Sequence, residues 1–236
     1  MKKRCLLLSM ITVFALSFTA HAEVEEEILF RDIPWGTSYT DIKDNIMPEL
    51  WWDDLHGDWM RVLTINDIVS DSNDNNKFTN NDLCLNAYTI DEIDVAGYTA
   101  KQTDLYFAFV PSDGTITHED SDTALYAAKY EIEPMDLEST FNDLLEKMKS
   151  IYGEPDVSTS YSIFIGCENL LFKWNGANDT MVVLKKEPYL EGGGAVHIIY
   201  VWKNGDEMLH EADDIISGIK TGEEASIYGN DNTDGL

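Results

Sequence analysis

The chain has 236 residues, 16 basic and 44 acidic, and a formal net charge of −28. A surface so acidic repels the phosphates of nucleic acid and anionic lipid, which excludes both as partners and favours cations and basic proteins. No apolar run reaches the roughly 20 residues of a membrane-spanning helix, so no span is expected in the processed chain.

The first segment reads as a leader. Lys2, Lys3 and Arg4 precede an apolar run from Cys5 to Phe18, and Ala20-His21-Ala22 is a small-residue cleavage site. This is the pattern of a secretory signal peptide over residues 1–22, and it implies export to the periplasm, cell surface or medium. Processing leaves 13 basic against 44 acidic residues, a net charge of −31. Cys5 lies at the start of the apolar run, whereas a lipidated cysteine would end it. Cys84 and Cys167 remain, and an oxidising compartment opens a disulfide between them; two separate buried thiols are the alternative.

Residues 23–27, EVEEE, form an acidic start, and order is expected from Ile28. In "FRDIPWGTSYTDIKDNI" Gly36 breaks the chain and Thr37 or Ser38 can cap a helix. Tyr39, Ile42 and Ile46 then share one helical face until Pro48. Three tryptophans follow close together, Trp51, Trp52 and Trp59, with Asp53, Asp54 and His56 among them. Met60 to Val69 reads as extended.

"DSNDNNKFTNND", residues 71–82, nearly fits a calcium loop. Asp71, Asn73 and Asn75 occupy the first ligand positions, and Asp82 the twelfth. A loop of that kind wants glycine at its sixth position, a longer bidentate acid at its twelfth and helices on both sides. Here Asn76 and Asp82 stand at those positions, and a strand pattern follows, so a polar hairpin tip competes with the cation site.

Leu83 to Ile90 alternates as a strand. "VAGYTAKQTDLYFAFVPSDG" reads as strand, turn and strand, with Leu105 to Val110 the buried run. A polar, acidic loop over 111–123 leads to a partner strand, 123–133. Leu137, Phe141, Leu144, Leu145, Met148 and Ile151 then make one apolar stripe on a helix. Acids crowd its first turn and lysines its last, Gly153 sits at the C-cap, and Pro155 stops continuation. Four strands follow, over 157–165, Leu170–Trp174, Thr180–Lys185 and Ala195–Trp202, separated by Gly166, Asn175-Gly176 and Gly192 to Gly194. A polar tail over 217–236 is expected to be disordered.

These elements predict an α+β fold: a helix-plus-antiparallel-meander unit over 23–133, a second over 134–216, and helices packed on sheet in two layers. "IPWGTSYTDIK", "VAGY", "YGEP" and "KWNGANDTMVVL" in this order resemble a pattern in uncharacterised exported bacterial proteins. Their architecture is similar to that of the beta-lactamase inhibitor protein and the small outer-membrane assembly lipoproteins. The resemblance implies helices laid on an antiparallel sheet and a binding role, and it carries over no catalytic residues.

Catalytic motifs are missing from the sequence: there is no H-E-x-x-H, no G-x-S-x-G, no phosphate loop and no dinucleotide fingerprint. His56, His118, His197 and His210 are scattered. The expected function is therefore non-catalytic binding of a protein or envelope component, a basic one by charge, with no cofactor required. The alternatives are a small exported hydrolase using clustered carboxylates, and a module that binds calcium through 71–82 or glycans through Trp51, Trp52 and Trp59.

Overall fold

A computed structural model describes residues 24–52, 64–70, 83–90, 92–112, 115–162, 167–189 and 192–228. In chain order the elements are β1 (Val24–Glu27), α1 (Tyr39–Asp41), β2 (Trp51–Trp52), α2 (Ile65–Ser70), β3 (Cys84–Thr89), β4 (Ile93–Val95), β5 (Tyr98–Ala100), β6 (Gln102–Phe109), β7 (Thr123–Ile132), α3 (Leu137–Tyr152), β8 (Asp156–Ser162), β9 (Cys167–Ala177), β10 (Thr180–Pro188), β11 (Gly194–Trp202) and α4 (Asn204–Tyr228). The fold is α+β, as the alternation of strand and helix patterns predicts.

Two antiparallel meanders build the sheet. One runs β2-β3-β6-β7 and the other β8-β9-β10-β11; they join through their last strands, β7 against β11. β1 adds to the same side of β9 as β8, in parallel and farther along the strand. Among the described residues this makes a mixed nine-stranded sheet, with β4-β5 as a separate hairpin.

Alternation along each strand sends side chains to opposite faces. One face presents Leu105, Phe107, Leu125, Tyr130, Val182, Leu184, Val196 and Ile198 to Tyr39 and Ile42 and to Phe141, Leu144 and Met148 of α3. The other presents Tyr106, Ala108, Ala127, Val183, Ile199 and Val201 to Ile65, Ile68 and Val69 of α2 and Leu209 and Ala212 of α4. In β7 the register shifts opposite Tyr106/Phe107, so Tyr126 and Ala127 both serve the α4 face. This is a β-bulge, one extra residue in one strand of a pair.

Capping fixes the helices. Ser38 Oγ accepts the Asp41 N–H at 3.1 Å and starts α1, which widens into a π-turn over Ile42–Ile46. That widening leaves Ile46 exposed and off the expected stripe. Asp136 Oδ1 accepts Ser139 N–H at 3.0 Å at the start of α3, and Gly153 closes the helix with φ 83°. The β4-β5 hairpin "VAGY" docks on α3: Tyr98 Oη donates to Asp143 at 2.7 Å, and Lys147 Nζ donates to Ala96 O at 2.8 Å.

The structure corrects several expectations. Residues 65–70, read as extended, are helical. Thr64 and Asp67 cap each other reciprocally, with Thr64 N–H on Asp67 Oδ2 at 3.0 Å and Asp67 N–H on Thr64 Oγ1 at 3.2 Å. Ile65, Ile68 and Val69 are then spaced for one helical face. The Asn175-Gly176 dipeptide is not a turn; β9 runs through it, and Asn178 and Asp179 turn the hairpin with φ 55° and 57°. Gly176 is needed for another reason. A Cβ there would meet Ile28 Cγ1 and Thr180 Oγ1, both at 2.7 Å, so its absence is what lets β1 approach. Past the last strand, α4 crosses residue 217, where disorder is expected to begin.

Cys84 and Cys167 are not joined. Four strands stand between β3 and β9, about 24 Å along the sheet, whereas a disulfide needs Cα atoms within about 6.8 Å. The register separates them further: Cys84 aligns with Ala108 and Ala124, while Leu171 aligns with Lys185, His197 and Glu131 at the other end of β7.

Candidate functional site

Upstream of Ala127, β11 no longer pairs with β7, and the "PWGTS" segment takes its place. Gly36 N–H donates to Leu125 O and Leu125 N–H donates to Thr37 O, both at 3.0 Å. Gly36 holds φ 81°, a conformation that favours glycine. Trp35 is anchored by its indole N–H, which donates to Ile28 O at 3.0 Å. The Tyr39 N–H donates to Thr123 Oγ1 at 2.8 Å, and that hydroxyl donates to Asp120 O at 2.7 Å. The start of α1 is thereby tied to a 3-10 turn at Asp120–Asp122. Asp122 O accepts Val110 N–H at 2.8 Å, and Asp122 Oδ2 accepts Thr117 Oγ1–H at 2.6 Å.

Between these two fastened segments lies a cleft of about 620 Å³. This is within the 300–1,000 Å³ typical of ligand sites. Trp35, Val110 and Pro111 give it apolar wall; Thr37, Ser38, Ser112, Ser121 and Thr123 bring hydroxyls, and Asp41 and Asp122 bring charge. Among the described residues the lining contains no basic side chain. Tyr39, the residue after Ser38 of the lining, is fully buried. Burial first, then the carboxylates of Asp120 and Asp44, push its phenol up to about 12.

A second polar arrangement lies on the α4 face of the sheet. Gln102, Glu131, His197 and Lys185 stand directly opposite one another across β6, β7, β11 and β10. Lys185 is 1 % exposed and His197 5 %. Lys129 Nζ lies 3.2 Å from Asp104 Oδ2, and Gln102 Nε2 donates to Asp104 Oδ1 at 2.8 Å. Burial works against the Lys129 ammonium, but Tyr106 and Asp104 outweigh it and raise the pKa. His197 Nε2 lies 3.3 Å from Glu187 Oε2, within ion-pair range, and that neighbour holds the Glu187 carboxyl below its ordinary value.

Asp71, Asn73, Asn75 and Asp82 lie outside the described residues, as does Trp59. Trp51 and Trp52 form β2, opposite Tyr88 and Ala87 of β3. Among the described residues no three His, Cys, Asp or Glu side chains gather to hold a metal ion, and no helix is long and apolar enough to cross a membrane. The cleft was missed because its parts read as punctuation: "WGTS" as a helix entry and 111–123 as a connection. The available signal was the density of hydroxyl and carboxylate residues in both. Comparison with protein-family models, with characterised proteins and with solved structures finds no match for this chain.

Proposed function

We propose that this chain is an exported, non-catalytic binding protein whose cleft between the "PWGTS" turn and the 110–123 loop takes a basic segment of a protein or envelope component. The observation that carries this reading is the cleft itself: ligand-sized and, among the described residues, lined by two carboxylates, five hydroxyl side chains and no basic side chain. Carboxylates facing a positive partner steer its approach and fix its register, while hydroxyl groups and an indole supply short-range fit. The site is built on segments fastened by backbone hydrogen bonds, so it is formed before a ligand arrives.

Calorimetry with a short arginine-rich peptide tests this. Binding is expected at low ionic strength and should weaken with added salt. An Asp41→Asn, Asp122→Asn double variant should lose about tenfold in affinity, and its melting temperature would show that it is folded. Equal affinity in the double variant, or no heat at low salt, would refute the reading.

The hydrolase alternative draws on the Glu187–His197 pair, in which the imidazole is buried and the carboxylate partly exposed. Its weakness is that His197, with Lys185 and Lys129 nearby, lowers the Glu187 pKa, and a carboxyl so lowered has no proton to give as a general acid at neutral pH.

A further inference from the structure

Several polar groups that line the cleft are already spent inside the fold. Thr123 Oγ1 accepts the Tyr39 N–H and donates to Asp120 O, and Thr37 Oγ1 donates to Pro34 O at 2.7 Å. Thr117 occupies one oxygen of Asp122, and Ile28 O takes the Trp35 indole N–H. Among the described residues, no partner takes the Asp41 carboxylate, the second oxygen of Asp122, or the hydroxyl protons of Ser38, Ser112 and Ser121. Trp35 packs partly against the core and partly lines the cleft. With its N–H spent, the ring brings only carbon and a π-face to the cleft. Lys43 lies over the ring of Tyr39, 5.3 Å from its centroid, and does not line the cleft.

We propose that this cleft reads arginine: a guanidinium lies against Trp35 and donates to Asp41 and Asp122, and lysine fits it poorly. The inference rests on the cleft being a site for a basic segment, and it names the side chain that segment must carry. The two carboxylates stand on opposite walls, Asp41 on α1 and Asp122 on the 110–123 loop. A guanidinium carries five N–H donors spread around one plane, so its edge can serve both carboxylates and a serine oxygen at once. Its two faces carry no donor and are weakly hydrated, which suits an indole whose own donor is spent. The ring quadrupole attracts a cation lying over it. An ammonium concentrates its charge at one strongly hydrated point and has no face to lay on the ring. Val110 and Pro111 complete the apolar wall for the methylenes of the side chain.

Calorimetry with two peptides of equal charge tests this: the arginine-rich peptide, and the same peptide with every arginine replaced by lysine. The arginine peptide should bind about tenfold more tightly, the scale of one stacked cation. In a Trp35→Leu chain shown by its melt to be folded, that ratio should fall towards one. An independent measurement uses the unmodified chain. Saturating arginine peptide should slow oxidation of the Trp35 ring by N-bromosuccinimide, followed by mass mapping, and the lysine peptide should slow it less. Equal affinity for the two peptides would overturn the proposal and leave the acidic cleft as a site for any cation. Failure of both to bind would overturn the cleft reading as well. An unchanged ratio in the folded Trp35→Leu variant, or Trp35 oxidised equally fast with and without arginine peptide, would also overturn it.

Discussion

On the α3 face of the sheet, apolar side chains run without interruption from Leu85 to Trp174 beneath the α1 segment and α3. On the α4 face, the apolar cluster under α2 and α4 gives way along the same strands to Asp104, Lys129, Glu131, His197, Lys185 and Glu187. One sheet thus meets the demand for burial in two ways. The first face gains from area removed from water, which needs no matching of partners. The second depends on each charge having its counterpart, because an unpaired buried charge is costly. The lesson is that failure should look different on the two faces: graded with lost volume on one, abrupt with a lost partner on the other.

The largest effect is expected on the α3 face. Phe107 is fully buried and stacks edge-on against Tyr39, with centroids 5.5 Å apart. Phe107→Ala should cost about 4 kcal/mol in denaturant unfolding, while Phe107→Leu should cost much less. On the charged side, Lys129→Ala leaves Asp104 buried without its cation and should cost about 3 kcal/mol. Exchanging both for apolar residues of similar size, Lys129→Met with Asp104→Leu, should recover most of that loss. If the double variant is as unstable as the single one, the two faces do not differ as described.

A smaller effect probes how α4 is seated. Gly205 lies over the ring of Tyr126, where a Cβ would sit 2.5 Å from Tyr126 Cβ and Cδ2. Gly205→Ala should cost about 2 kcal/mol by overpacking. Tyr126→Leu in the same chain should relieve it, and stability measured across this double-mutant cycle checks the coupling.

The smallest effect is in pH dependence. His197 holds the Glu187 carboxyl below its ordinary value of 4.5. A carboxyl lowered in the folded state contributes stability that is present above the unfolded-state value and is lost as pH falls through the folded-state value. The melting temperature should therefore drop as the solution is acidified below that range. Glu187→Gln should flatten this limb by lowering the melting temperature at neutral pH while changing little at acid pH, where the wild-type carboxyl is already protonated, and thermal melts in steps of pH will show whether it does.

The α3 half of the molecule was legible in the sequence because its local signals agree. The stripe from Leu137 to Met148, the Asp136 cap and Gly153 all indicate the same helix. The meander around β10 and β11 reads directly from its apolar runs and glycines. The α4 face was less legible for two reasons. Ile65, Ile68 and Val69 sit in a helix of under two turns, too short to show a period, and only the Thr64–Asp67 cap reveals it. α4 carries acids through its first turns and a weak apolar face, so it resembles a solvated tail until the sheet beneath it is known. The cleft was the least legible part, because its walls are at least 69 residues apart in sequence and meet when Gly36 and Thr37 bond to Leu125.

The seam between β7 and β11 has a consequence for how the chain reaches this state. Val196 pairs with Ile132 and Val201 with Ala127, so the seam joins two strands between which α3, β8, β9 and β10 lie in sequence. Each meander can assemble from neighbouring strands, but joining them requires a long-range loop closure, the slow kind of step in sheet folding. Until then each half shows an open strand in its finished length. A chain that pauses at that stage is a template for the wrong neighbour, and its acidity, by keeping copies apart, gives the correct seam time to form.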